Sequence, residues 1–174
     1  MLIALCVLFF GSMLVAGVLR VTGWQPATTR NHGQMLTPPG DLRALTPQLR
    51  SGEAYPWQPQ QRLWRMVVAP AADCGQSCIE LAESLDTVWR LLGHNADRLH
   101  LLWLGEAPTG LPALPELRLL RDDPALRKGL PGLDAQGENA VYVIDPNGFV
   151  IMRYAPGFDP TGLRADLAKL LKLM

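Results

Sequence analysis

The feature that most constrains this chain is a cysteine pair, Cys74 and Cys78, set between two segments of different periodicity. The preceding segment, residues 63–69, is a strand-like run. The following segment, residues 79–92, carries apolar residues at helical spacing and is followed by Gly93. A cysteine pair at the point where a buried strand passes into a helix is typical of folds that carry out thiol chemistry at that junction.

The later segments have strand and helix signals of their own. Residues 99–104 form a nearly continuous apolar run, as expected for a strand buried on both faces. Two β-rich runs, residues 140–144 and 149–154, flank an Asp-Pro-Asn-Gly sequence that predicts a type I turn and a hairpin. A closing helix is predicted with Asp159 as its N-cap and Pro160 at its first position.

The order of these elements predicts the fold. It reads strand, cysteine pair, helix, strand, short strand and helix, hairpin, helix. A strand–helix–strand start requires a parallel pair joined by a right-handed crossover. The hairpin and the closing helix complete a four- to five-stranded sheet with helices on both faces. The predicted fold class is therefore an α/β thioredoxin-like sandwich over residues 61–174.

The N-terminal segment is of a different kind. Residues 1–19 contain no charged residue, and a helix of that length spans roughly 28 Å, close to the bilayer hydrocarbon core of about 30 Å. We expect a transmembrane anchor here; the alternatives are a buried core helix and a cleaved signal peptide, which would usually show a basic n-region. Residues 20–60 contain six prolines and no apolar periodicity, which predicts an extended connector. Within it, residues 31–39 are expected to make one specific contact.

Composition narrows the classes of function. The net charge is zero and 18 % of the 174 residues are charged. The chain therefore lacks the excess of basic residues that would indicate a nucleic-acid partner. Of the three cysteines, Cys6 lies in the apolar N-terminal run. A framework of several disulfides needs an even and larger number of cysteines, so a total of three favours a redox-active or metal-binding role for Cys74 and Cys78. A passive structural disulfide and a relic pair without function are the alternatives.

Several segments together resemble the Sco/SenC type of thioredoxin-fold protein, membrane-tethered copper chaperones for cytochrome c oxidase. The resemblance is closest to the small transmembrane proteins of bacterial cytochrome c oxidase assembly gene clusters. The segments that carry it are Trp64, the Cx3C of Cys74 and Cys78, and residues 31–36, 38–39, 143–148 and 152–154. The resemblance implies a single-pass protein of the bacterial inner membrane with a periplasmic soluble domain. Its implied partners are a cytochrome c oxidase subunit or the assembly factors of that enzyme.

The resemblance also implies a metal. In Sco proteins the two thiolates of the Cx3C and one distant histidine bind copper, and the thiolates correspond to Cys74 and Cys78. Soft thiolates select Cu(I) or Zn over harder ions. The histidine has no counterpart, because its position falls on Gly and Glu at residues 137–138; His32 is the candidate substitute. The cis-proline of thioredoxin has no counterpart either, and its position falls near Asn139.

Two functions stay open at this point. In the first, an accessory factor of cytochrome c oxidase biogenesis uses Cys74 and Cys78 as a redox pair, either as a thiol–disulfide oxidoreductase or to hold Cu(I) transiently. With Cys78 in the first helical turn, the helix amides are expected to stabilise its thiolate. In the second, the fold is a non-catalytic interaction module whose disulfide only pins a loop to a helix. The sequence does not determine which cysteine attacks.

Overall fold

The computed structural model describes residues 2–22, 31–111, 114–133 and 139–173. Contacts divide the chain into two units, Met1–Arg30 and Asn31–Met174. The first contains helix α1 (Leu2–Thr22), whose large apolar side chains, Phe9 and Leu14 among them, are exposed. A helix thus forms where the anchor is predicted. However, no helix among the described residues is both long enough and apolar enough to cross a membrane, so a spanning segment is not confirmed.

The second unit is a six-stranded mixed sheet with helices packed on it. The strands are β1 (Gln34–Asp41), β2 (Trp64–Ala69), β3 (Leu99–Leu104), β4 (Leu117–Leu120), β5 (Ala140–Ile144) and β6 (Phe149–Tyr154). Across the sheet they are ordered β1-β6-β5-β2-β3-β4. Strands β2, β3 and β4 are parallel, and β5, β6 and β1 continue the sheet by antiparallel pairing. The helices of this unit are α2 (Gly75–Arg90), α3 (Pro124–Lys128) and α4 (Pro160–Leu170). The thioredoxin-like α/β sandwich is confirmed.

The sheet has one strand more than the predicted maximum. Strand β1 lies inside the stretch predicted as a connector and pairs with β6 at the sheet edge. An edge strand accepts prolines because one of its sides forms no ladder hydrogen bonds, and β1 contains Pro38 and Pro39. The segment predicted to make one specific contact is therefore largely a strand.

Strand β2 is the centre of the core. All six of its side chains are buried, and they alternate between the two faces of the sheet. Met66 and Val68 pack on the face that also holds α2 and α4 side chains. Val67 and Ala69 pack on the opposite face, with Leu126 of α3. Helices on both faces bury this strand completely, which explains why five of its six residues are apolar, with Arg65 as the exception.

The hairpin and the last helix start as predicted. The carboxylate of Asp145 accepts hydrogen bonds from the backbone N–H groups of Asn147, Gly148 and Phe149, which fixes the turn between β5 and β6. Gly148 has φ +101°, a backbone conformation that residues with a side chain rarely adopt. The Asp159 carboxylate accepts from two N–H groups in the first turn of α4, so this N-cap is confirmed.

A buried carboxylate fixes the start of the second unit to its end. Asp166 in α4 is 2 % exposed. Its Oδ2 accepts hydrogen bonds from the N–H groups of His32 at 2.6 Å and Gly33 at 3.1 Å, and from the Tyr154 hydroxyl at 3.0 Å. Its Oδ1 accepts from Lys169 Nζ at 3.0 Å. Burial alone would raise the pKa of Asp166, but these hydrogen bonds outweigh it and lower the pKa below its usual value.

We expect Asp166→Ala to lower the free energy of unfolding by about 2–4 kcal/mol at neutral pH, because it leaves several buried donors unpaired. The folded-state pKa is below the unfolded one, so the contribution is present at neutral pH and is lost as pH falls through the folded pKa. The deficit measured by urea denaturation should therefore shrink in acid. The exposed Asp97→Ala is the control, with a change within about 0.5 kcal/mol. An Asp166→Ala value equal to that of the control would refute this role.

Candidate functional site

The two cysteines lie on one turn of chain at the start of α2. Cys74 is the N-cap residue, and Cys78 follows within the first turns, its N–H donating to the Cys74 carbonyl at 3.0 Å. The sulfurs form a disulfide, and the Cα atoms are 5.4 Å apart, within the usual range for such a bond. Strand β2 delivers the chain to this position through the short loop of residues 70–73.

The two sulfur-bearing residues differ in burial. Cys78 is 0 % exposed and packs in the core with Ala82 and Leu85 of the same helix. Cys74 is half-buried and lines an open cleft of about 580 Å³. The cleft lies between residues 71–76 and the loop of residues 106–109 that follows β3. A molecule that reaches the pair from solvent therefore meets Cys74 first.

The N-terminus of α2 also favours Cys74 as the cysteine that reacts as a thiolate. A helix N-terminus stabilises negative charge through its unpaired N–H groups. Cys74 stands at that end, whereas the N–H of Cys78 already bonds within the turn. The sequence predicts helix stabilisation for the thiolate of Cys78. Because α2 begins at Gly75, Cys78 lies in the first helical turn as predicted, and Cys74 lies at the helix end as its N-cap.

The described walls of the cleft carry negative charge. Asp73 and Glu106 are the charged side chains that line it, and both are exposed. The remaining lining is small, polar or apolar, with Gln76, Ile79 and Thr109 among it. The cleft is thus open and mildly acidic, and its chemistry is that of the Cys74 sulfur.

An asparagine from the other side of β2 completes the surroundings of the pair. Asn139, just before β5, accepts a hydrogen bond from the Ala71 N–H at its Oδ1, 3.0 Å away. The same Oδ1 lies 3.5 Å from Cys78 Sγ, and Nδ2 donates to Ser77 Oγ at 3.1 Å. Sequence reasoning named this position only for lacking a proline and gave the residue no role. No local pattern signals contacts between residues more than sixty positions apart.

His32, predicted as the substitute metal ligand, is placed elsewhere. Its backbone N–H binds Asp166, and its side chain lies against Gly162 in α4. It lines a separate cavity of about 280 Å³, together with residues 153–158. The structure therefore does not bring His32 to the cleft that Cys74 lines.

His100 does not reach the cleft either. It lies near the start of β3, at the opposite end of that strand from Glu106, and its Nδ1 is 2.7 Å from the Tyr55 hydroxyl. Burial, helped by the nearby charge of Arg118, lowers the pKa of His100 to about 4. Within the described ranges, no three His, Cys, Asp or Glu residues form a group that could hold a metal ion. Residues 137–138, where the Sco histidine is expected, lie outside those ranges.

The difference in burial predicts unequal reactivity of the reduced pair. We expect iodoacetamide to modify Cys74 in the native, reduced full chain at least ~10-fold faster than Cys78, because a buried thiol reacts only after local opening. Peptide mass mapping distinguishes the two sites from Cys6. In denaturant the rates should converge. Equal rates in the native protein would show that Cys78 is not protected.

Comparison with known proteins identifies the chain. A family model described as "Transmembrane-like, thioredoxin-like, C-terminal domain" matches residues 64–174. Similar solved structures include yeast Sco1 with copper bound, at 12 % identity and a TM-score of 0.56, over 87 % of this chain and 96 % of that one. BsSco, a Sco-family protein with a disulfide switch, matches at 11 % identity and a TM-score of 0.53, over 75 % and 92 % of the two chains.

The likeness extends to other thioredoxin-like proteins. T. cruzi GPX1 matches at 16 % identity and a TM-score of 0.54, over 76 % of this chain and 97 % of that one. At such identities a structural likeness shows the fold, and at that level the resemblance to Sco/SenC proteins is confirmed. No curated protein matches the sequence. Because the family model covers more than half of its residues, the chain belongs to the family of transmembrane-like, thioredoxin-like C-terminal domains.

Proposed function

We propose that this protein is an accessory factor of cytochrome c oxidase biogenesis that acts by thiol–disulfide exchange through Cys74 and Cys78. One observation carries the proposal: the disulfide has one half-buried cysteine at an open cleft and one cysteine fully buried in the core. In such a pair the half-buried cysteine can form a mixed disulfide with a partner, and the buried cysteine can then restore the intramolecular disulfide. The shared fold with BsSco, described as a member of a family of cytochrome c oxidase assembly proteins, supports the biological setting.

The exchange has two steps. The reduced Cys74 thiolate attacks a disulfide of the partner, which forms a Cys74–partner disulfide and releases the second partner sulfur as a thiolate. Cys78 then loses its proton to solvent and attacks the Cys74 sulfur, which forms the Cys74–Cys78 disulfide and releases the other partner sulfur as a thiolate. The two partner thiolates take up protons from solvent and form the dithiol. The partner gains two electrons and this protein loses two. The 5.4 Å between the two Cα atoms already suits the product of the second step.

Transient handling of Cu(I) belongs to the same proposal, with the ion as cargo. The donor set fits such an ion in part: two thiolates of the reduced pair can hold Cu(I) in linear geometry, and sulfur is a suitable soft ligand. A third ligand is not supplied by His32 or His100, which lie away from Cys74 in the part of the chain that is described. Of the described residues, Cys74 and Cys78 are therefore the two that would hold the ion.

We also propose a location at the bacterial inner membrane, with the thioredoxin-like domain on the periplasmic side. Two observations support it. The family model is described as transmembrane-like, and helix α1 exposes a largely apolar surface that suits attachment to a membrane. A disulfide between Cys74 and Cys78 is also more persistent in the oxidising periplasm than in the cytosol.

The second candidate function is a non-catalytic interaction module. The full burial of Cys78 favours it, because a disulfide that anchors a loop to a core helix is a structural device as well. In that case replacement of the pair would affect stability, and exchange with a partner would not occur.

Single replacement of the cysteines distinguishes these functions. We expect Cys74→Ser and Cys78→Ser to abolish the recovery of cytochrome c oxidase activity in membranes of a deletion strain, because each removes one of the two exchange steps. Cys6→Ser is the matched control and should restore full activity, since Cys6 lies outside the pair. Immunoblotting should show equal amounts of the variants. Full recovery with both single variants would exclude the exchange mechanism.

A competition titration tests the copper branch. The probe is Cu(I) alone, bound to a chromophoric chelator and titrated with the reduced full chain carrying Cys6→Ser. We expect one equivalent to be withdrawn, because two soft thiolates compete well for Cu(I). The Cys74→Ser/Cys78→Ser variant is the control and should withdraw none. Equal binding by both proteins would show that Cu(I) binds at a site other than the cysteine pair. Binding by neither would exclude Cu(I) handling and leave disulfide exchange as the proposed activity of the pair.

A further inference from the structure

The amide of Asn139 lies beside the cysteine pair and is held by hydrogen bonds on more than one side. It contacts three groups: the Ala71 N–H in the loop after β2, the Ser77 hydroxyl in the turn between the cysteines, and the buried sulfur of Cys78. Its orientation is determined by the protein. A backbone N–H can only donate, so the Ala71 N–H requires Oδ1 on its side, and Nδ2 is left to donate to Ser77 Oγ.

This orientation places an acceptor at Cys78. Oδ1 lies 3.5 Å from Cys78 Sγ, a distance that suits a hydrogen bond from a thiol once the disulfide is reduced. In the reduced protein the same oxygen would accept from both the Ala71 N–H and the Cys78 thiol. The Cys78 side chain, already surrounded by core residues on one side, is thereby held on the other side as well. Among the described residues, the hydrogen bonds of this amide reach Ala71, Ser77 and Cys78 and do not reach the Cys74 side chain.

We propose that Asn139 is the positioning residue for the second step of exchange, in which Cys78 attacks the mixed disulfide at Cys74. This inference rests on the proposed thiol–disulfide exchange and adds a residue to it. The amide holds the protonated Cys78 sulfur within reach of Cys74 while a partner occupies the cleft. When the thiol loses its proton it is already in position to attack, so the second step needs little reorganisation. Asn139 is not expected to contribute to the first step, because attack on the partner is made by Cys74 from the cleft side.

The test separates the two steps. The probe is bis(2-hydroxyethyl) disulfide, which is uncharged and therefore insensitive to the acidic walls of the cleft. The reduced full chain with Cys6→Ser is mixed with the probe, and samples are quenched in acid at intervals. Mass spectrometry then gives the masses of the protein species in each sample. The mixed disulfide appears as an adduct of one mercaptoethanol unit and disappears when Cys78 releases it. A Cys78→Ser background stops at the adduct and gives the rate of the first step alone.

We expect Asn139→Ala to slow release of the adduct at least ~10-fold, because small displacements of a reacting group have large kinetic effects. The rate of adduct formation in the Cys78→Ser background should stay within about twofold of that without the Asn139 change, since Cys74 makes that attack. Asn95→Ala, on the turn that follows α2, is the matched control and should change neither rate. A purely structural role would change both steps together.

Each result decides the matter. Slowed release with unchanged formation supports the role of Asn139. Equal slowing of both steps, or no slowing, overturns it and leaves the proposed exchange intact. Failure of the chain with native Asn139 to form an adduct overturns the proposed exchange itself. Should Asn139→Ala not fold, Ser77→Ala is the second variant; it removes the acceptor of Nδ2 together with the hydrogen bond from the Ser77 hydroxyl to the Cys74 carbonyl, 3.4 Å long. The formation rate in the Cys78→Ser background reports any effect on Cys74. Slower release with unchanged formation is then the supporting result; unchanged release, or equal slowing of both steps, overturns the inference.

Discussion

The complete burial of strand β2 is the constraint on which the rest of the second unit depends. Its six side chains fill both faces of the sheet, between parallel β3 and antiparallel β5. Each large apolar side chain buried in this way contributes about 1.5–3 kcal/mol, so the strand cannot shift without loss of both cores. Because β2 is fixed, the loop that follows it and the start of α2 are fixed as well. The cysteine pair is therefore held at a defined point beyond the end of a fully buried strand.

The asymmetry of the pair follows from helical geometry. Cys74 is the N-cap, outside the first turn, and one turn later Cys78 falls on the face of α2 that packs against the sheet. A single turn of helix is therefore enough to separate a solvent-facing thiol from a buried one. Asn139 reaches this turn from the start of β5, which is adjacent to β2 in the sheet. Sheet order thus brings together a sulfur and an amide that are far apart in the chain.

The sequence predicted those parts of the fold that have a local signal. Periodicity located β2, α2 and β3, and turn and cap residues located the β5–β6 hairpin and α4, because each depends on neighbours in the chain. Strand β1 was missed because Pro38 and Pro39 indicate loop, and only pairing with β6 makes that segment a strand. The cysteines were found from their spacing. Their unequal burial and the contacts of Asn139 depend on the assembled sheet, which no local pattern encodes.

The proposed function requires the Cys74–Cys78 disulfide to exchange with a disulfide or dithiol of a partner. The most direct test is its reduction potential, measured on the full chain carrying Cys6→Ser by equilibration in redox buffers and mass counting of oxidised and reduced forms. An exchanging pair should have a potential above about −300 mV, in the range of redox-active disulfides. A potential well below about −300 mV is that of a structural disulfide and would contradict the account.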